Sequence, residues 1–285
     1  MKVDFHIHST ASDGTVSPSA ISRRTASFDA VALTDHDTTD GIAEFLSEGT
    51  GPEGRVKIAG AELSIEPGEG FSRFHLLALG IDPANPGLQA LLARVIRARG
   101  DRNRRMTERF NAIGIDIKPE AKGCVLARPH YAAWLVKNGY APSIAEAFAK
   151  YLLPDSPEET KCYVRRESPP QEESFAAVHA AGGICVMAHP KFWRNEWKRT
   201  GCDFAVAEHA LCELKEKGLD GLEAIYAANT PLENVEFTRI ADHAGLLKTA
   251  GSDFHGLNKP RIPIGIDVEE SFVAPLVERL GLLTS

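Results

Sequence analysis

The sequence predicts an α/β protein: a closed or nearly closed barrel of seven strand-and-helix repeats, with a small helical domain inserted into it. Three observations predict this. Seven short apolar runs alternate, for the most part, with helix-like stretches, the pattern of a parallel sheet. Those runs end in clusters of histidine and acid, as strands do when they deliver side chains to one rim of a barrel. Residues 88–166 break the alternation and carry helical spacing alone.

The strands are expected at Val3–Phe5, Ala30–Leu33, Val56–Ile58, Phe74–Leu79, Gly183–Ala188, Gly221–Tyr226 and Leu246–Ala250. Between them, Pro18–Ser27, Gly41–Ser47, Glu172–Ala181, Ala205–Lys217 and Leu232–Ala244 read as helices. Within the interruption Leu88, Leu91, Leu92, Val95 and Ile96 fall at helical spacing, then Met106, Phe110 and Ile113. Tyr131–Lys137 and Ile144–Leu152 follow, with Pro142 and Ser143 as a helix start. Turn chemistry at Asp82–Gly87 and Glu167–Pro170 marks the crossings. The division expected is therefore 1–87 and 167–285 for the barrel and 88–166 for the insertion.

Composition narrows the function classes. The 285 residues are 43% hydrophobic and 25% charged, which excludes disordered and fibrous chains. With 39 acidic against 32 basic residues the net charge is −7, so the overall field does not suit a protein that coats nucleic acid. No apolar run approaches the ~18 residues of a membrane span, and His6 and His8 arrive before a signal-peptide core could form, so a cytoplasmic protein is expected. The five cysteines, Cys124, Cys162, Cys185, Cys202 and Cys212, are odd in number, lack a C-x-x-C pair and read as reduced structural thiols.

The chemistry concentrates at the strand ends. His6-x-His8 closes the first strand, where alternation points both imidazoles to one side, able to hold a divalent metal. Alone that pair is weak. It is joined by Asp13, His36 in Thr34-Asp-His-Asp37, Glu62, His75, His189, Asp253 and His255, so that six of the ten histidines lie in or at the end of a strand. Nine nitrogen and oxygen ligands exceed what one metal needs and indicate two or three. Mixed carboxylates and imidazoles suit Mn(II), Zn(II) or Fe(II). Metals ~3.5–4 Å apart can share a hydroxide nucleophile and clamp phosphoryl oxygens, which favours phosphate-ester hydrolysis. Asp35 and Asp37 are placed to orient His36 or nearby water, or to serve as turn and cap residues.

The ordered segments FHIHSTASDG, ALTDHDTTDG, AGAELS, FHLLALG, VMAHP and GSDFHG resemble the polymerase and histidinol phosphatase (PHP) family of the amidohydrolase superfamily, most closely its nucleotide-phosphatase and exoribonuclease branch. The resemblance spans the barrel and implies a distorted (β/α)7 TIM-like fold with three divalent ions, manganese first and zinc or iron as alternatives. By motif position His6, His8, Glu62 and Asp253 would bind the first metal, and Glu62 would bridge to a second held by His75 and His189. Asp13, His36 and His255 would bind the third, Asp13 standing where some relatives carry histidine.

Arg94, Arg97, Arg99, Arg102, Arg104, Arg105 and Arg109 form the densest basic stretch. On one helix Arg102, Arg105 and Arg109 would share a face and offer guanidinium forks to phosphate, and Gly100 gives the helix a point at which to bend. The substrate-binding set expected is Arg102, Asn103, Arg104, Arg105, Arg128, His130 and Trp134, with His130 and Trp134 one helical turn apart and the indole able to stack a nucleobase. His179, His209 and His243 read as ordinary surface or packing residues. The activity expected is removal of the 3′-phosphate from a nucleoside 3′,5′-bisphosphate such as adenosine 3′,5′-bisphosphate. The alternatives are 5′-to-3′ cleavage of short 5′-phosphorylated RNA and a non-catalytic metal-binding barrel; no protein partner is evident.

Overall fold

In a computed structural model, residues 1–48, 55–66, 73–123, 125–191 and 204–281 are described. An eight-stranded mixed sheet forms the centre, in the order β7-β6-β5-β4-β3-β2-β1-β8. The strands are β1 (Lys2–Asp4), β2 (Ala30–Leu33), β3 (Val56–Ile65), β4 (Phe74–Leu79), β5 (Ile184–Met187), β6 (Gly221–Tyr226), β7 (Leu247–Gly251) and β8 (Ile266–Asp267). Backbone bonds from Phe5 N to Ala250 O (3.0 Å), Asp253 N to His6 O (2.8 Å) and His8 N to Phe254 O (2.9 Å) join β1 to β7 and curl the seven strands into a barrel. The short β8 pairs antiparallel on β1.

The sheet departs from the all-parallel expectation at β4, which runs antiparallel to both β3 and β5. The reason is chain length: Ile65 and Phe74 are too close in sequence for the dozen or more residues of a parallel crossover.

Alternation along the strands sorts side chains between two layers. Ala30 and Ala32, Leu77 and Leu79, and Ile184 and Val186 face the barrel interior with Val3 and Phe5. Leu76 and Ala78, Cys185 and Met187, and Leu222 and Ala224 face outward against the surrounding helices. Those helices include α1 (Pro18–Arg24), α2 (Ile42–Ser47), α6 (Gln171–Ala180), α7 (Phe204–Glu216) and α8 (Pro231–Ala244), while α9 (Glu270–Arg279) adds Val273 and Leu276 to the interior cluster. The capping box at Thr230 and Glu233, Pro231 in the first turn and left-handed Gly245 at the end bound α8 by the ordinary start and stop chemistry.

Helix α3 (Pro86–Ala112) is a single 27-residue element, capped where Asn85 Oδ1 accepts from Leu88 N at 3.1 Å. It runs on through Gly100 without interruption. Its first turns, with Leu88, Leu91 and Leu92, pack in the cluster outside the barrel. Its last turns, with Met106 and Phe110, join a separate cluster with Tyr131, Leu135, Tyr151 and Val164. Helices α4 (Arg128–Lys137) and α5 (Ile144–Ala147), the latter continued by a π-helical turn at Phe148–Leu152, complete that second cluster. Cys162 and Cys185 are buried free thiols and Cys212 is half-buried; Cys124 and Cys202 lie outside the described residues. No helix among the described residues is long and apolar enough to cross a membrane.

Candidate metal centre

The nine strand-end side chains converge on one rim of the barrel. Glu62, fully buried on β3, is their hub: its carboxylate lies 2.7 Å from His75 Nδ1, 2.8 Å from His36 Nδ1, 3.0 Å from His189 Nε2 and 3.2 Å from His8 Nε2. His6 Nε2 and His8 Nε2 are 3.1 Å apart, and Asp253 Oδ1 stands 3.7 and 3.4 Å from them. Asp13 Oδ1 is 3.2 Å from His255 Nε2, and Asp13 Oδ2 is 3.8 Å from His36 Nε2.

These atoms fall into overlapping groups that could each hold an ion: His6, His8 and Asp253; His6, Glu62 and His189; His36, Glu62 and His75; and His8, Asp13, His36 and His255. His6, His8, His36 and Glu62 thus each belong to two groups. The donor set fits divalent metals: ligand atoms on a shared tetrahedral ion with ~2.1 Å bonds stand about 3.4 Å apart. Four buried atoms in the cluster, His8 Nδ1, Asp13 Oδ1, His36 Nδ1 and Glu62 Oε2, have no hydrogen-bond partner in suitable geometry. Buried polar atoms are seldom left in that state without an ion or water to meet them.

Local structure explains how the strands deliver these groups. Bonds from Asp37 N to Glu62 O (2.9 Å) and from Glu62 N to Asp35 O (3.1 Å) extend the β2–β3 register, so His36 arrives beside Glu62. His255 Nδ1 bonds Asp253 O at 2.8 Å, which turns Nε2 toward Asp13. Asp37, His189 and Asp253 are the non-glycine residues with positive φ among those described, at 54°, 31° and 58°, and all three sit at this rim. Backbone strain of this kind collects where geometry serves a site.

Several supporting residues escaped the sequence reading. Glu223, fully buried on β6, accepts from His6 Nδ1 at 2.9 Å and from the His189 backbone N–H at 2.6 Å, leaving His6 Nε2 to face the cluster. Its signal was an acid on the inward register of an otherwise apolar strand. Asp4 accepts from the backbone N–H groups of His6 (3.2 Å) and Ser252 (3.0 Å), and burial pushes its carboxyl up to about 6. Tyr226 donates to Asp253 Oδ2 at 3.0 Å, and Lys259 bonds the same oxygen.

The roles expected of Asp35 and Asp37 change. Asp35 accepts from Ser9 N (2.7 Å), Ser9 Oγ and Ser12 Oγ, holding the loop that carries Asp13. Asp37 takes both Arg99 and Arg166 on one oxygen, and although burial works to raise its carboxyl, those two guanidiniums hold it well below the usual range.

A cavity of about 650 Å³ opens from the rim, with Asp13, His36, His75, His189 and His255 at one end and Arg73, Arg99, Arg102, Arg128 and Arg166 around the rest. Arg73 pairs with Glu66, and Arg99 and Arg166 pair with Asp37. Arg102 is different. It is only 6% exposed, its Nε donates to Asn103 Oδ1 at 2.8 Å, and its Nη2 has no partner. Burial, together with the charges of Arg99, Arg128 and Arg166, pulls its pKa down. Arg128 lies over the rings of Phe148 and Tyr163 and bonds Leu152 O.

Of the expected substrate residues, Arg102 and Arg128 line this cavity, and Asn103, bonded also to Leu126 O at 2.9 Å, positions Arg102. Arg104 and Arg105 do not: both are exposed, Arg104 pairing with Glu108 at 2.9 Å. Arg109 bonds Tyr163 O, so the expected face of Arg102, Arg105 and Arg109 is not a unit, the helix burying Arg102 and turning Arg105 and Arg109 outward. Arg73 and Arg166 entered no sequence expectation because they reach the cavity from distant chain positions. His130 and Trp134 line a second cavity, of about 400 Å³. His179, His209 and His243 pair with Asp220, Glu213 and Glu208, away from this rim.

No family model matches the chain. It is 32% identical over 261 residues to the 3′,5′-nucleoside bisphosphate phosphatase of Chromobacterium violaceum, covering 89% of this chain and 87% of that protein. It is 31% identical over 272 residues to the 5′-3′ exoribonuclease Rnm of Escherichia coli, covering 88% and 84%. Among solved structures, an amidohydrolase of Chromobacterium violaceum with bound sulfate superposes with a TM-score of 0.81 at 27% identity, covering 98% of this chain and 96% of that one. A Bifidobacterium adolescentis protein named as a metal-dependent phosphoesterase gives 0.76 at 29%, covering 97% and 96%. Similarity over nearly the whole length, on a barrel whose rim gathers every motif residue, leaves one assignment: the chain belongs to the PHP family of metal-dependent phosphoesterases in the amidohydrolase superfamily.

Proposed function

We propose that the protein removes the 3′-phosphate from nucleoside 3′,5′-bisphosphates, releasing a 5′-nucleotide and inorganic phosphate. The observation that carries this is Arg102: a buried guanidinium without a carboxylate partner, in the same cavity as the strand-end cluster. A buried cation left unpaired is costly, and a bound phosphate offsets that cost with charge-assisted bonds. One cavity therefore offers an anion site and a reacting site, which suits a substrate with two phosphates. Residues 88–112 and 125–166 of the insertion supply four of its five arginines, so the segment 88–166 acts as the substrate-binding unit.

Three divalent ions are proposed, manganese ahead of zinc or iron. By motif position His6, His8, Glu62 and Asp253 would hold the first, Glu62, His75 and His189 the second, and Asp13, His36 and His255 the third, all of them among the overlapping groups at the rim. When bound, such ions stabilise charge on phosphoryl oxygens and supply a nucleophile at neutral pH.

The chain's own groups do the rest. Arg102 and Arg128 bind the 5′-phosphate, so that binding energy distant from the reacting bond positions the 3′-ester at the rim. Asn103 fixes the Arg102 fork, and Asp37 holds Arg99 and Arg166 beside it. Glu223 fixes the tautomer and direction of His6. The bond between phosphorus and O3′ breaks, and the water proton ends on O3′. The relatives named for a phosphatase and for an exoribonuclease support a nucleotide substrate.

The test is to incubate manganese-loaded protein with adenosine 3′,5′-bisphosphate and separate the products. The expected result is 5′-AMP with an equal amount of phosphate. Formation of 3′-AMP, or no turnover by metal-replete protein, overturns the assignment.

A further inference from the structure

One further group of metal-ligating side chains among the described residues stands apart from the rim: His179, Cys185 and Asp220, whose ligand atoms all lie within 4.8 Å of one another. They come from consecutive pieces of chain. His179 lies in the last turn of α6, Cys185 is the second residue of β5, and Asp220 immediately precedes β6. Two tight turns bring them together, Gly182 taking a φ of 78° between α6 and β5 and Gly218 a φ of 107° just before Asp220. A Cβ on Gly218 would meet His179 Cε1 at 3.4 Å, so this second turn lies against the imidazole. Asp220 N donates to Cys185 O at 2.8 Å and Asp220 Oδ2 accepts from Cys185 N at 2.8 Å, which clips the carboxylate to β5. The same oxygen stands 2.7 Å from His179 Nε2. Alternation turns the Cys185 side chain outward toward α6, with its sulfur 3.9 Å from Phe175 O. Cys185 is fully buried, whereas the side chains of His179 and Asp220 are 39% and 22% exposed, so an ion arriving from solvent meets imidazole and carboxylate first and sulfur at the inner wall. Cys185 precedes His189 by four residues, roughly 13 Å of extended chain, which sets the group at the other end of β5 from the rim.

We infer that His179, Cys185 and Asp220 form a second metal site, separate from the rim and selective for a thiophilic divalent cation such as zinc. The donor set separates the two places. Every ligand at the rim is imidazole or carboxylate, whereas a thiolate here favours zinc over manganese, magnesium and calcium. One thiolate, one imidazole and one carboxylate make a three-ligand zinc set with a fourth position for water from the exposed side. On a shared tetrahedral zinc such atoms stand about 3.4–3.8 Å apart, inside the 4.8 Å span that already holds them. Binding breaks the S–H bond of Cys185, forms a sulfur–metal bond and passes the proton to water, with no change of oxidation state. An ion here would tie α6 to the barrel at the place where α3 begins. Asn85, the cap of α3, donates from Nδ2 to Ala180 O at 3.0 Å, and Asp82 N donates to Ala181 O at 2.8 Å. The start of the helix that carries Arg99 and Arg102 is thus bonded to the two residues that follow His179.

The experiment titrates Co(II), a spectroscopic stand-in for zinc, into the manganese-loaded full chain and follows the near-ultraviolet thiolate-to-cobalt charge-transfer band. Cobalt that exchanges into the rim gives no such band, because the rim ligands include no sulfur. The expected result is a band that saturates at one equivalent of thiolate-bound cobalt, disappears when Zn(II) is added, and is absent in Cys185→Ser. His179→Ala, at an exposed position, is expected to weaken the cobalt binding that gives the band by at least about tenfold, since even the hydrogen-bond partner of a metal ligand is worth that much. Should Cys185→Ser fail to fold, His179→Ala and Asp220→Asn carry the decision, with thermal melts to confirm that they are folded. The absence of a charge-transfer band in the wild type overturns the site. So does a band retained by Cys185→Ser, which would belong to another cysteine, or wild-type cobalt affinity in His179→Ala. Hydrolysis of the bisphosphate is not a readout, so the outcome is independent of the phosphatase proposal.

Discussion

Glu223→Gln tests whether the cluster depends on a group that no motif contains. Both Glu223 oxygens are occupied: Oε1 accepts from His6 Nδ1 at 2.9 Å and Oε2 from His189 N at 2.6 Å, in a fully buried position. Glutamine has the same shape but only one acceptor oxygen. Its NH2 must therefore face one of the two donors, and either His6 turns or the His189 backbone N–H is left unmet. A buried donor without a partner costs about 1–3 kcal/mol. Replacing the partner of a metal-facing histidine costs metal affinity 10- to 100-fold, about 1.4–2.7 kcal/mol. The assay is titration of metal-free protein with Mn(II), followed by the signal of the free ion, with thermal melts of the metal-free forms as a check on folding. Metal binding at wild-type affinity by a folded Glu223→Gln protein would refute the role assigned to Glu223.

Three further outcomes follow from the packing. Asp37→Asn leaves Arg99 and Arg166 buried without their shared carboxylate, which should cost about 3–5 kcal/mol and lower the melting temperature by roughly 10 °C; asparagine tolerates the positive φ at this position, so a melt like that of the wild type would show the pair to be dispensable. Gly251→Ala puts a Cβ 2.1 Å from Glu223 Oε1 and 2.5 Å from His6 Cβ, and should cost about 1–3 kcal/mol together with metal content measured by elemental analysis; full metal content would refute the close packing of β7 on His6. Arg102→Ala should raise KM for the bisphosphate about 10- to 100-fold without loss of stability, because its charge has no internal partner, whereas Arg105→Ala should change neither by more than about 0.5 kcal/mol; equal effects from the two in steady-state kinetics would remove Arg102 from phosphate binding.

The barrel and the gathering of its rim residues were legible because strand alternation is a short-range signal. Three residues of sequence around His6 suffice to place His6 and His8 on one side, and the same reasoning carries Glu62 and His75 inward with Ile58 and Leu77. Glu223 was readable by the same rule, since Leu222 and Ala224 face the helices and leave Glu223 on the inward side, but an isolated acid draws less notice than a motif. The reversal of β4 was also written in the chain, in the short link after Ile65. Arg73 and Arg166 were not. They meet Arg99 only because the β3–β4 reversal and the return of the insertion at Pro170, bridged to Glu66, bring three distant segments together. Charge density likewise misled the reading of α3, where seven arginines look alike in sequence. Which of them are buried depends on the helices packed against that face, and that is tertiary information.

Asp37 connects the two halves of the site. It follows His36 directly, its backbone N–H bonds Glu62 O, and its side chain holds Arg99 of the insertion and Arg166 at the return to the barrel. Asp37 thereby ties the rim directly to the arginine cavity. Under the proposed function, strand ends fix the reacting end within the barrel, and the position of α3 sets how far the distal phosphate would sit from it. Because α3 is one unbroken helix, packed on the barrel at Leu88–Leu92 and on the helical cluster at Met106–Phe110, that distance is set by a stiff element about 40 Å long. A change in how α3 seats on the barrel would therefore move Arg99 and Arg102 together relative to His36. Selectivity among phosphate esters can shift in this way while the ligand set at the rim stays the same.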